Sequence, residues 1–257
     1  MKITLPARLL VTLILLLATP CFGVDLPQSF AAKNGFTVHL PEGWKPIPKE
    51  VLDSYSQAIA RLAPKAERQI YDYGFQRADT PKWFSYPYIL VQVRRSGRIP
   101  EEQLAALKRI EKAMDDSFAK TSDSLSAITS NASLGEPSYD PVSHILWTRI
   151  AIDVKETGTV RGVVGAILTE EGFVQIACYA KGDDFGKYLP AFESVIKNTE
   201  IKADLKYGAR NSCGHGEAQE SGQGAFPWKT SALVLIGALL LLLLARWGWR
   251  KKASGNW

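Results

Sequence analysis

Apolar and polar positions alternate over residues 35–40, which places Phe36, Val38 and Leu40 on one face and predicts a strand. The stretch Pro41-Glu-Gly-Trp44 then turns the chain. From residue 48 the period changes. Val51, Leu52, Tyr55, Ile59 and Leu62 recur at helical spacing, and Pro64 closes the helix. Residues 71–77 and 88–95 read as two strands, joined by the aromatic connection Pro81-Lys-Trp-Phe-Ser-Tyr-Pro87. Residues 100–118 read as a helix. Glu101 and Glu102 lie in its first turn, and Leu104, Leu107, Ile110, Met114 and Phe118 follow three or four apart.

Residues 121–134 are polar and serine-rich and read as a loop. Three strands follow. In residues 143–155 Leu146, Ile150, Ile152 and Val154 share one side. Residues 159–169 are apolar on both faces, as expected of a central strand. Residues 173–180 follow through the tight turn Glu170-Glu-Gly172. Residues 183–197 predict a last helix with Asp183 or Asp184 as N-cap, and residues 199–203 a short final strand. Consecutive hairpins require an antiparallel sheet. The expected fold class is α+β, with an antiparallel sheet covered by helices on both faces, an α/β/α sandwich.

The two ends carry a different pattern. Lys2 and Arg8 precede an apolar run of about ten residues, too short to span a bilayer and right for a secretory signal peptide over residues 1–23. Pro20 before Cys21 argues against a lipoprotein signal. Residues 230–245 carry no charge. As a helix they are about 24 Å long, and Phe226, Trp228, Trp247 and Trp249 extend them as interfacial aromatics. This predicts one transmembrane helix over residues 228–249. Arg246, Arg250, Lys251 and Lys252 flank or follow it, so the tail at residues 250–257 is expected in the cytoplasm. A sorting signal removed by processing is the competing use of this tail, but it holds no LPxTG motif. Residues 24–205 then form an exported domain, and the glycine-rich residues 206–227 a flexible linker.

Charge changes meaning under this topology. The chain of 257 residues carries 31 Lys plus Arg and 26 Asp plus Glu, a formal net charge of +5 that alone would suggest nucleic acid or anionic membrane as partner. Six of the basic residues lie in the signal peptide or in and beyond the tail end of the span. The exported part keeps 25 against 26 acids, a net charge of −1. No nucleic-acid partner is expected; the expected partners are the lipid bilayer and another envelope protein.

Candidate chemistry is sparse. His39, His144 and His215 match no zinc spacing, and no Gly-x-Ser-x-Gly or phosphate-cradling glycine motif occurs. Neither a cofactor, a bound metal nor enzymatic activity is expected. Cys178 and Cys213 are the cysteines of the exported part, and export allows a disulfide between them; against it, Cys178 shares a strand face with Val174 and Ile176, as a buried hydrophobe would. The most unusual local feature is Trp83, Phe84, Tyr86 and Tyr88 around two prolines, followed by Arg94 and Arg95. Such aromatics serve either as recognition anchors or as a cap on the core, and both readings stay open.

The strand running into Leu40-Pro-Glu-Gly-Trp44, the strand pair followed by a helix, the closing meander and the helix bearing Phe192-Glu-Ser194-Val-Ile-Lys-Asn together resemble the PsbP-like superfamily over about 170 residues. The resemblance implies an α/β/α sandwich acting as a binding or assembly factor, and it assigns no functional residue. The sequence therefore reads as a single-pass protein of a bacterial plasma membrane, its N-terminal domain outside, acting as an accessory or assembly factor of the envelope. A ligand-binding sensor or adaptor is the alternative, and an envelope enzyme with a dispersed site the third.

Overall fold

The computed structural model describes residues 28–62, 69–105, 129–155 and 157–208. Its elements in chain order are β1 (Gln28–Ala32), β2 (Phe36–Leu40), β3 (Trp44–Pro46), α1 (Lys49–Leu62), β4 (Tyr73–Arg77), β5 (Tyr88–Arg94), α2 (Glu101–Ala105), β6 (Thr129–Leu134), β7 (Ser138–Asp140), β8 (Ile145–Val154), β9 (Gly158–Thr169), β10 (Gly172–Lys181), α3 (Gly182–Lys197) and β11 (Glu200–Ile201). A 3-10 turn, Ala203–Leu205, follows. The fold is α+β and the sheets are antiparallel throughout.

The larger sheet has the strand order β3-β4-β5-β10-β9-β8-β6, with β7 also on β8. As the apolar run of residues 159–169 implies, β9 lies inside the sheet, between β10 and β8. Strand alternation divides its side chains between two cores. Tyr88 and Leu90 of β5 join Leu52 and Tyr55 of α1, Ile150 and Ile152 of β8 and Tyr179 of β10. Ile89 and Val91 join Phe185, Phe192, Val195 and Ile196 of α3. Helix α3 approaches β9 so closely that a Cβ at Gly165 would lie 2.3 Å from Cγ2 of Ile196. Only glycine fits there.

Several expectations need correction. The opening strand belongs to a second, three-stranded sheet of order β1-β2-β11, not to the main one. The end of the stretch read as a loop is strand β6, paired with β8. Its side chains past Thr129 are exposed or half-buried, so an edge strand held by backbone bonds leaves no hydrophobic alternation to read. Helix α3 starts at Gly182 with Lys181 as N-cap and no side-chain cap. Asp183 and Asp184 stand in its first turn, where they face the positive end of the helix dipole. Lys206 and Tyr207, at the head of the stretch read as linker, are seated on the domain: Lys206 bridges Thr169, and Tyr207 is 8 % exposed.

The helix expected over residues 100–118 is described only as α2. The expected signal peptide, the remainder of the linker, the span and the tail lie outside the described residues. No helix among the described residues is long and apolar enough to cross a membrane.

Candidate functional site

The aromatic connection between β4 and β5 is built on one buried side chain. The carboxamide of Gln76 donates to Thr80 Oγ1 at 2.7 Å and to the Lys82 carbonyl at 2.9 Å, and its oxygen accepts the Phe84 N–H at 2.7 Å. Lys45 Nζ donates to the Ala78 and Thr80 carbonyls and lies 5.0 Å from the Trp83 ring centroid. Phe84 has φ +60°, a left-handed conformation that costs a bulky residue about 1–3 kcal/mol. Its ring is rewarded by stacking on Tyr55 at 4.4 Å.

These contacts answer part of the question left open by the sequence. Phe84 and Tyr88 are core residues, 5 % and 0 % exposed. Tyr86 stacks on Tyr88 at 5.1 Å and is half-buried, with its hydroxyl buried. Trp83 is 38 % exposed. Arg94 and Arg95 are not brought to it, for they follow β5 to its far end, about 20 Å away at the rise of a strand. There Arg94 reaches Gln69 Oε1 at 3.5 Å and Arg95 pairs with Glu171 at 3.4 Å.

Burial pushes the phenols of Tyr55 on α1 and of Tyr71, Tyr86, Tyr88 and Tyr179 up from their ordinary value. Cys178 is fully buried, and burial likewise pushes its thiol up. Cys213, the other cysteine of the possible disulfide, lies outside the described residues.

The far end of β5 holds a second arrangement, which the sequence reading missed. Glu170, read as a turn residue, is 3 % exposed. Its N–H donates to the Leu205 carbonyl at 3.0 Å, and its carboxylate accepts the Gly208 N–H at 2.6 Å and lies 3.8 Å from Arg98 Nε. The Arg98 guanidinium sits 4.8 Å from the Tyr207 ring, whose hydroxyl donates to the Ile99 carbonyl. The end of the described chain is thus clasped to the β9–β10 hairpin. The signal, in retrospect, is the pairing of an acidic turn with Arg98 and an aromatic ahead of a glycine-rich stretch.

An open groove of about 960 Å³ lies beside this clasp. The end of β2 at His39 to Pro41, the turn at Val142 to His144, the last turn of α3 and Tyr207 line it. His144 takes φ +52°, and its Nδ1 lies 2.8 Å from the Tyr139 hydroxyl. Val142, at the rim, is 89 % exposed. Next to the groove, Ser29 Oγ lies 3.1 Å from His39 Nδ1, and His39 Nε2 lies 3.2 Å from Glu200 Oε1. The register pairs Ser29 with His39 directly, and Glu200, paired with Thr37, is the diagonal neighbour of His39 on β11. Among the described residues no group of three or more His, Cys, Asp or Glu side chains is placed to hold a metal ion.

Comparison with solved structures finds the cyanobacterial PsbP (CyanoP) of Synechocystis sp. PCC 6803, at 10% identity and a TM-score of 0.39, covering 70% of this chain and 95% of that one. LpqN of Mycobacterium tuberculosis, described as involved in cell envelope biogenesis, is also found, at 13% identity and a TM-score of 0.35, covering 68% of this chain and 90% of that one. No family model and no curated protein matches the chain.

Proposed function

We propose that this protein is an accessory or assembly factor of the bacterial cell envelope that works by binding and not by catalysis. Its domain is an exported α/β/α sandwich, released from its signal peptide and held by a linker to one transmembrane helix with the C-terminus in the cytoplasm. The observation that carries the reading is the groove of about 960 Å³ at the pole where residues 206–208 are clasped. A tethered domain with an open groove at that pole presents it to other envelope proteins, within a linker reach of roughly 25 Å for a coil of this length.

The test is site-specific photo-crosslinking from Val142 in the full-length protein in cells, combined with a topology reporter at the C-terminus. A discrete crosslinked partner from Val142, absent from a control position on the opposite pole such as Lys82, supports the reading. A reporter active outside the membrane, or no partner from the groove, overturns it.

One observation favours a second reading, an envelope hydrolase: Ser29, His39 and Glu200 stand in the order nucleophile, base and orienting acid. The binding reading expects Ser29 to stay unlabelled by a fluorophosphonate probe. Selective labelling that is lost in Ser29→Ala would favour the hydrolase.

A further inference from the structure

On the face of the larger sheet that carries α1, one row of positions is polar. Tyr88 and Leu90 of β5 and Ala177 and Tyr179 of β10 belong to that core, and strand alternation puts Gln92, Arg94 and Gln175 on the same face. Gln92 is paired directly with Gln175, so their Cβ atoms stand about 5 Å apart, and Arg94 follows about 7 Å farther along β5. Gln69 joins them, its Oε1 lying 3.5 Å from the Arg94 guanidinium. Gln69, Gln92 and Gln175 are each 2 % exposed, and Arg94 is half-buried.

Three buried atoms of this row have no hydrogen-bond partner: Gln92 Oε1, Gln175 Nε2 and Arg94 Nε. Gln92 Nε2 donates to the Ile70 carbonyl at 2.7 Å, which decides which end of that amide is the acceptor. Gln92 and Gln175 thus hold complementary groups at facing positions and still do not bond each other. No carboxylate among the described residues lies within ion-pair distance of Arg94. The acids at this end of β5 are engaged elsewhere. Asp72 accepts the Val93 N–H at 2.7 Å, Glu170 lies beside Arg98, and Glu171 pairs with Arg95. A buried polar atom left unpaired is costly, and a partly buried cation without a counter-charge more so.

We infer that this row binds a small oxyanion of the phosphate class, one that keeps a hydroxyl hydrogen. Two of its oxygens accept from Arg94 Nε and Gln175 Nε2, its hydroxyl donates to Gln92 Oε1, and its charge balances the guanidinium. A water molecule bridges the two carboxamides but brings no charge to Arg94. A sulfate or an ionised carboxylate brings the charge but no donor for Gln92. Inorganic phosphate and a phosphomonoester on a larger molecule share the required chemistry. The inference goes beyond the proposed function, since none of these four residues lines the groove.

The test uses the full chain in detergent micelles, purified without phosphate, and calorimetric titration at pH 6 with inorganic phosphate, sulfate and glycerol 3-phosphate. At that pH inorganic phosphate keeps its hydroxyl hydrogens, about half of a phosphomonoester keeps one, and sulfate keeps none. One saturable phosphate site is expected, with sulfate bound about tenfold more weakly, the worth of one hydrogen bond to a buried acceptor. Arg94→Met is expected to weaken phosphate binding about tenfold to a hundredfold, as loss of a charge-assisted hydrogen bond does. Gln92→Leu is expected to abolish the preference for phosphate over sulfate. Glycerol 3-phosphate bound as tightly as phosphate assigns the site to a phosphomonoester, and weaker binding assigns it to free phosphate.

Absence of saturable phosphate binding below about 10 mM overturns the inference. So does equal affinity for phosphate and sulfate, or phosphate affinity unchanged in Arg94→Met. The comparison of the two ions uses the unmodified protein, so it decides even where a variant fails to fold.

Discussion

The N–H of Phe84 donates to the side-chain oxygen of Gln76 at 2.7 Å, and Gln76 is fully buried. This one contact holds a bulky residue in the left-handed region and sets where the exposed Trp83 stands. Gln76→Leu removes three hydrogen bonds and leaves a buried N–H without its acceptor. The expected loss is about 2–4 kcal/mol, since each orphaned buried group costs roughly 1–3 kcal/mol. Urea denaturation of the full chain measures it; a loss below about 0.5 kcal/mol would show that the loop is held by other contacts.

Adjacent aromatics in that loop differ in what they do. Phe84 is stacked in the core, and Phe84→Ala is expected to cost about 3–5 kcal/mol. Trp83 is 38 % exposed above Lys45, and Trp83→Ala is expected to cost about 1 kcal/mol or less. Melting temperatures of the two variants check this. Equal destabilisation would make Trp83 a core residue and remove it as a recognition anchor.

Five buried tyrosines, Tyr55 of α1 and four packed near it, tie stability to alkaline pH. Their folded-state pKa values are raised by burial above the ordinary phenol value of 10.0. Raised acids stabilise the fold fully below the unfolded value, and the contribution falls as pH rises beyond it, because the unfolded chain loses those protons first. Stability is therefore expected to fall steeply above about pH 10, with tyrosinate absorbance appearing together with loss of the folded circular dichroism signal. Tyrosinate formation by these five residues in a chain that stays folded would contradict it.

Glu170 is the centre of the clasp at the chain's exit. Glu170→Ala removes the acceptor of the Gly208 N–H and the carboxylate beside Arg98. Faster amide exchange at Gly208 is expected, by about tenfold or more, with little change in the central strand β9. The same exchange rate in both proteins would show that Gly208 is held without Glu170.

Much of the central meander is legible in the chain. Leu146, Ile150, Ile152 and Val154 alternate, the run of residues 159–169 is apolar on both faces, and both features survive into β8 and β9. Helix α1 is legible from the spacing of Leu52 and Tyr55. Strand β6 is not, because an exposed edge strand is held by its backbone and its side chains need no pattern. The candidate site is legible only in its aromatics. Trp83 and Phe84 stand side by side in the sequence, and nothing there says that one faces water and the other the core. Arg94 and Arg95 come soon after in the chain, yet a strand carries them to the opposite pole.

The groove belongs wholly to the tertiary structure. His39, Val142 and Tyr207 are distant in sequence and share no motif. The sequence by itself determined which segments alternate, which turn with the helix period, and how charge is distributed between the ends and the middle. Those are local properties, set by side-chain solvation and backbone geometry over a few residues. The placement of β2 in a second sheet, the interruption of β11 by the end of α3 and the burial of Glu170 depend on which elements meet. That is decided by packing between residues far apart in the chain, where no short-range pattern records the outcome.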